Sequence, residues 1–335
     1  MAVPQKSRTT LLLDLPDDLL YYLCETISAS SPAQNVTFDL PRNLASSEKL
    51  YLCHFTSTCH HLRALAAPIQ FRQATNAGYT SHYEDPFDVF LTSLGRCEYR
   101  EYVRILDLRL GIPTWREGTI AGLRATLSQD FLPGLRGLRV AIHDSSADSM
   151  AQALVAAFAT ISSSSSSSSP RPLVSVQTLH LSHILALGLA HLFPSCKTLH
   201  LSISYTPKDN PAFIHPLLTS LARSYPHVHT LHLPQVRNLH MGQPWTTGVP
   251  RDLRGMGAEG IAQFRLIRER EKGERASAVA GTAFRDFGEL ERLRFGILAE
   301  FETGDGMTVF ERVEGTGEVV RRAGGDGNVV LTADG

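Results

Sequence analysis

The sequence predicts an α/β protein in which a mainly helical N-terminal module precedes an irregular repeat array with parallel strands. Within residues 15–72, apolar side chains recur at helical spacing, whereas further along the chain a short strand pattern alternates with helical patterns. The chain of 335 residues also exceeds what one compact core usually organises. Two domains, or an extended array, are therefore expected.

The first helix of the N-terminal module is predicted to begin near Pro16. Proline suits the first helical turn, where its missing N–H costs no hydrogen bond. Asp17 and Asp18 then lie favourably near the positive end of the helix. Four residues continue at helical spacing and predict one apolar stripe: Leu19, Leu20, Leu23 and Ile27. Short helices are marginal alone, so this module needs a second helix and a partner surface.

The repeat array is predicted from one pattern, apolar-x-x-Leu-x-apolar, which occurs six times. The copies are residues 103–108, 135–140, 176–181, 196–201, 228–233 and 290–295. The alternating tail of each copy predicts a short strand. Helical patterns fill the gaps, and the copies start 20 to 62 residues apart. The array is therefore irregular and carries insertions.

The remaining segments predict loops and a terminal hairpin. A serine run ended by a proline, residues 162–170, predicts a flexible loop insertion. Two short strand patterns at 309–313 and 318–321 flank a glycine-containing turn, and we expect residues 324–335 to be frayed. The predicted organisation is a flexible tail (1–10), a helical module (11–73), a connector (74–100), a repeat domain (101–300), and a terminal hairpin and tail (301–335).

Two motifs in the N-terminal module resemble the F-box, which joins substrate receptors to Skp–cullin ubiquitin ligases. The opening motif consists of Leu15, Pro16, Asp18, Leu19 and Leu20, and the closing motif of Cys59, Leu62, Arg63, Leu65 and Ala66. Thr58, His60 and Leu62 depart from the family pattern, which has an apolar residue, arginine and tryptophan there. With the repeats included, the chain resembles fungal proteins that join an F-box to divergent leucine-rich repeats.

This resemblance implies a non-catalytic substrate receptor of a ubiquitin ligase. Its partners would be a Skp-family adaptor, a cullin held through that adaptor, and a protein target. The implied adaptor-binding residues are Leu15, Pro16, Asp18, Leu19, Leu20, Leu52 and Leu62. Three alternatives stay open: a helical hairpin that caps the array, an interaction scaffold without a ligase, and an enzyme on an α/β fold.

The repeat strands also carry a recurring pair of polar residues. Three histidines lie between the two apolar residues of a copy: His180, His200 and His232. Three threonines lie two positions earlier: Thr178, Thr198 and Thr230. Alternation places both sets opposite the leucines, and adjacent strands lie about 4.8 Å apart. We therefore predict two rows across an open sheet face, either a docking strip for an acidic or pH-dependent partner or a solvated feature without a ligand.

Other motifs give no case for a metal or cofactor. Cys53, Cys59, His60 and His61 lack the ligand spacing of zinc sites and are better explained as parts of a helix. The Gly-x-Gly-x-x-Gly string at 255–260 does not follow a strand pattern, so the context of a dinucleotide site is missing. We expect no catalytic residues, no metal and no cofactor.

Composition narrows the partners and the compartment. The formal net charge is −1, which gives no strong electrostatic case for nucleic acid or an anionic membrane. Five cysteines in a chain of this length indicate a reducing compartment rather than a disulfide framework. No segment is predicted to be a signal peptide or to span a bilayer. We expect a soluble protein of the cytoplasm or nucleus.

Overall fold

The structure is a computed structural model that describes residues 12, 15–29, 57–75, 86–110, 122–123, 126–127, 130–142, 147–159, 172–203, 213–234, 257–296, 308–323 and 328–331. The predicted tail 1–10 and the serine-rich insertion 162–170 lie outside these ranges. The α-helices described are α1 (Asp17–Ala29), α2 (His60–Gln70), α3 (Pro86–Arg96), α4 (Ala147–Ala159), α5 (His183–Gly188), α6 (Ile214–Ser224) and α7 (Ala258–Asp286). Two 3₁₀ helices span Arg100–Tyr102 and Ala190–Leu192.

Ten strands form one open sheet whose spatial order is the order of the chain. The strands are β1 (Gln73–Thr75), β2 (Ile105–Leu110), β3 (Gly137–Ile142), β4 (Thr178–Ser182), β5 (Thr198–Ser202), β6 (Thr230–Leu233), β7 (Arg292–Phe295), β8 (Thr308–Arg312), β9 (Val319–Ala323) and β10 (Asn328–Leu331). Strands β1 to β7 pair in parallel, and β7 to β10 pair antiparallel. The predicted α/β class with parallel strands is confirmed.

The six copies of the strand pattern become β2 to β7. A further parallel strand, β1, precedes them and pairs with β2, with Gln73 opposite Ile105. It lies where the sequence predicts the boundary between helical module and connector. Sequence reasoning missed β1 because its three residues, Gln-Ala-Thr, contain no leucine pair.

The C-terminal strands partly overturn the sequence prediction. Strands β8 and β9 form an antiparallel hairpin, with Thr308 opposite Ala323, where the sequence predicts one. Strand β10 then adds to β9 in antiparallel fashion. The prediction that residues 324–335 are frayed is therefore wrong for Asn328–Leu331. The four-residue segment is a strand because β9 offers it a backbone ladder to pair with.

The core lies on the leucine face of the sheet. One leucine of each strand from β2 to β7 is fully buried and in register with the next: Leu106, Leu138, Leu179, Leu199, Leu231 and Leu293. Helices α3 to α7 contribute their buried apolar side chains to the same cluster. The parallel strands and the helices between them therefore share one continuous apolar layer.

Tyr225, at the C-terminal end of α6, ties two helices together inside this layer. Its hydroxyl donates a 2.6 Å hydrogen bond to the carbonyl oxygen of Ala186 in α5, and burial raises the pKa of the phenol. We expect Tyr225→Phe to destabilise the protein by about 1–3 kcal/mol, because the buried carbonyl loses its donor. Urea unfolding monitored by circular dichroism measures this loss. Tyr22→Phe, at an exposed site, is the control, and an equal effect of both variants would contradict the assignment.

Candidate functional site

The N-terminal module contains a packed helix pair, α1 and α2. Leu20 and Cys24 of α1 and Leu62 and Ala66 of α2 are buried. Near the N-terminus of α1, Oδ1 of Asp17 lies 2.8 Å from Nε2 of His61. An apolar contact layer and one polar contact therefore hold the two helices together.

Two of the predicted adaptor-binding residues are buried. Leu20 is 0 % exposed and Leu62 is 2 % exposed, so neither side chain presents a surface to a partner in this structure, and their contact with an adaptor stays a prediction. Positions 20, 24 and 27 of α1, at i, i+4 and i+7, turn inward, which leaves Leu19 outside the buried stripe. Leu52 lies outside the described residues.

The outer side of the module presents a strip of exposed apolar residues, the α1 strip, formed by Leu12, Pro16, Leu19 and Tyr22. Leu19 is 53 % exposed and Tyr22 is 67 % exposed. The predicted contact residues Leu15 and Asp18 are half-buried and exposed, respectively. Sequence reasoning missed Tyr22, although it lies three residues after Leu19, the spacing of neighbours on a helix surface.

The three histidines of the repeat strands form a stack. Strands β4, β5 and β6 pair in register, so that His180 lies opposite His200 and His200 opposite His232. The ring centroids of His180 and His200 are 5.7 Å apart, and those of His200 and His232 are 3.8 Å apart. The predicted adjacency of the three imidazoles is confirmed.

The predicted exposure of these imidazoles is wrong. His180, His200 and His232 are 7 %, 2 % and 5 % exposed. Burial lowers the pKa of His200 to about 3, with nearby Arg294 and Arg139 adding to the effect. Burial, then the neighbouring imidazole of His200, then the nearest arginine hold the pKa values of His180 and His232 well below the usual range. The stack is therefore a neutral buried layer at physiological pH, not an open docking strip.

The stack is the centre of a longer polar row across the sheet. The register extends it through Arg139 to Asp107 on one side and to Arg294 on the other. Asp107 is 1 % exposed, and its carboxylate lies 3.1 Å from Nη2 of Arg109 and 3.7 Å from Nε of Arg139. The face opposite the leucines therefore buries ionic groups as well as imidazoles.

The accessible part of the predicted target strip is the row of threonines. Thr178, Thr198 and Thr230 are in register and half-buried. Thr178 lines a cleft of about 530 Å³, which is also lined by residues of α1 and α2. Thr230 lines a second cleft, of about 690 Å³, beside the β8–β9 turn.

A second row of polar residues lies along the N-terminal ends of strands β1 to β7, at the position directly before the first residue of each strand. This leading row consists of Arg72, Arg104, Arg136, Gln177, Lys197, His229 and Glu291. From Arg72 to His229, each backbone carbonyl accepts two hydrogen bonds, from the N–H groups of the next residue of the row and of the first residue of the following strand. The carbonyl of Glu291 accepts one, from the N–H of Arg312 at the end of β8. The row is basic at its β1 end and acidic at its β7 end, where His229 lies between the carboxylates of Glu289 and Glu291, at 3.4 and 3.0 Å. From β2 onward, the signal for this row was present in the sequence, at the first variable position of each repeat copy.

Within the described ranges, no group of three or more His, Cys, Asp or Glu side chains could hold a metal ion. Among the helices described, none is long and apolar enough to cross a membrane. Comparison with known proteins gave no match to a family model and no significantly similar curated protein.

Proposed function

We propose that this protein is the substrate receptor of a Skp–cullin–F-box ubiquitin ligase, with no catalytic residues or cofactor of its own. The observation that carries the proposal is the α1 strip, because a helix pair that already has an internal core still exposes Leu19 and Tyr22. Apolar anchors three or four residues apart on one helix are what a partner groove receives.

The sheet supports the second half of the proposal. Its parallel strands follow the chain order without exception, and helices fill one side. An array in which each unit contacts its sequence neighbours is typical of repeat proteins, and a repeated Leu-x-Leu strand is typical of leucine-rich repeats. We therefore assign the strands β2 to β7 to a divergent leucine-rich repeat domain.

Because the histidines are buried, the target surface in this proposal is formed by the leading row and the threonines, at the N-terminal ends of the parallel strands. The receptor would act by proximity in the cytoplasm or nucleus. It holds a target near a ubiquitin-charged enzyme and so raises the effective concentration of the reacting groups.

Co-purification with a fungal Skp-family adaptor tests the proposal. We expect the wild type to retain the adaptor and Leu19→Asp/Tyr22→Asp to lose it, because both changes place a carboxylate in an apolar contact. Leu266→Asp is the matched control, since Leu266 is 72 % exposed on the distant helix α7. We expect this control to bind as the wild type does.

Circular dichroism of each variant checks that it remains folded. If a folded wild type fails to retain the adaptor, the receptor proposal is wrong. The chain is then an interaction scaffold without a ligase.

A further inference from the structure

The cleft between the helical module and the sheet has an unusual concentration of positive charge. Its lining includes three arginines, Arg72, Arg104 and Arg136, together with Tyr102 and one carboxylate, Glu25. The volume of about 530 Å³ lies within the range of about 300–1,000 Å³ found for small-molecule sites.

The three arginines are brought together by the strand register. Gln73, Ile105 and Gly137 lie side by side on β1, β2 and β3, so the arginines that precede them are also neighbours. With strands about 4.8 Å apart, the outer two backbones are about 10 Å apart. Side chains of this length can converge on one group between them.

Arg104, the central arginine, is positioned before any ligand arrives. Its Nη1 donates a 2.6 Å hydrogen bond to the carbonyl oxygen of Glu101. A Cβ atom at position 134 would overlap Nη1 of Arg104, so Gly134 leaves the space that the guanidinium occupies. The other nitrogens of the guanidinium still offer donors to a bound anion.

The flanking arginines and the cleft wall complete the site. Within the described part of the chain, neither Arg72 nor Arg136 has a carboxylate at ion-pair distance. Phe71 stacks on Tyr99, with ring centroids 4.6 Å apart, and Tyr99 stacks on Tyr102 at 6.3 Å. This aromatic stack links the end of α2 to the segment before β2. Tyr102 of this stack lines the cleft.

We propose that this cleft is a binding site for a phosphate dianion, either free or as a monoester, with Arg72, Arg104 and Arg136 as its ligands. Guanidinium groups match the planar pairs of phosphate oxygens, and a monoester carries a charge near −2 at neutral pH. Glu25 lowers the affinity of the cleft for an anion, because its carboxylate repels negative charge at one side. This inference concerns a different surface from the α1 strip and does not depend on adaptor binding.

Line broadening in ³¹P NMR at low salt tests the site with two probes, inorganic phosphate and a blocked Gly-phosphoserine-Gly peptide. We expect the wild type to bind and Arg136→Gln to weaken binding by about tenfold or more, since hydrogen bonds to charged groups are strong. Lys197→Gln is the matched control, because it removes one charge from the same leading row outside the cleft. We expect it to change the affinity less than about twofold.

The two probes distinguish the source of the phosphate. Tighter binding of the peptide assigns the site to a phosphorylated protein, and equal binding assigns it to a free phosphate. Arg136→Lys keeps the charge without the planar fork and is expected to retain part of the affinity. Absence of binding to the wild type, or an equal loss in Lys197→Gln, overturns the proposal. Unchanged melting of Arg136→Gln shows that the variant is folded.

Discussion

Acidification from pH 7 to pH 5 is expected to remove several kcal/mol from the free energy of unfolding. The folded-state pKa of His200 is about 3, and those of His180 and His232 are also well below the usual value near 6.5. Below pH 6.5 these imidazoles therefore bind protons in the unfolded chain but not in the folded chain. The free energy of unfolding therefore decreases as the pH falls below 6.5, by up to about 1.4 kcal/mol per pH unit for each imidazole, or about 4 kcal/mol per pH unit for all three.

Urea unfolding at pH values from 7.5 to 5 measures this slope directly. His200→Gln removes one of the three titrating groups and is expected to reduce the slope by about 1.4 kcal/mol per pH unit. His191→Gln removes an exposed imidazole from the turn after α5 and is the matched control. A wild-type stability that stays constant over this pH range would contradict the predicted effect of burial. So would a slope in His200→Gln equal to that of the wild type.

The histidines also show where reasoning from sequence ends. A period of two with leucines at alternate positions was sufficient to predict β2 to β7 and to place the imidazoles in one row. Whether the second face is open depends on what packs over it. The strand pattern contains no information on that packing. Both faces of a parallel sheet are commonly buried, but their strands are then usually apolar on both faces. The polar residues on the second face of this sheet therefore led to a prediction of exposure.

The helical module shows a different limit. Leu19 and Leu20 are adjacent, and both fit an apolar stripe, yet only Leu20 is buried. A rotation of one residue, about 100°, decides which leucine is buried. The buried side of α1 is the one that also carries Cys24, since positions 20 and 24 lie one turn apart. The sequence therefore predicted a helix with an apolar face but not which side would remain available to a partner.

The cleft was beyond prediction for a third reason. Arg72, Arg104 and Arg136 are separated by about thirty residues each, and only the strand register makes them neighbours. Arg72 precedes β1, a strand with no repeat pattern. Local sequence could identify Arg104 and Arg136 in the first two copies, but the charge cluster is a property of the sheet.

Replacement of Leu199 by alanine is expected to cost about 2–5 kcal/mol of stability. Leu199 is fully buried at the centre of the sheet, with Leu179 and Leu231 opposite it on the two neighbouring strands. The cavity that the change creates is therefore bounded by side chains on both sides. Leu266→Ala, at a leucine that is 72 % exposed, is the control and is expected to stay within about 0.5 kcal/mol of the wild type.

Leu199 and His200 are consecutive residues that face opposite sides of β5, so their variants separate the two layers of the fold. Leu199→Ala removes no titrating group and should lower stability by the same amount at pH 7 and at pH 5.5. His200→Gln should instead change the slope of stability against pH. If Leu199→Ala also changed that slope, the leucine layer and the histidine stack would be energetically coupled. The parallel offset that we expect corresponds to two independent layers, one apolar and one of buried imidazoles that stay neutral in the folded protein while the unfolded chain takes up protons.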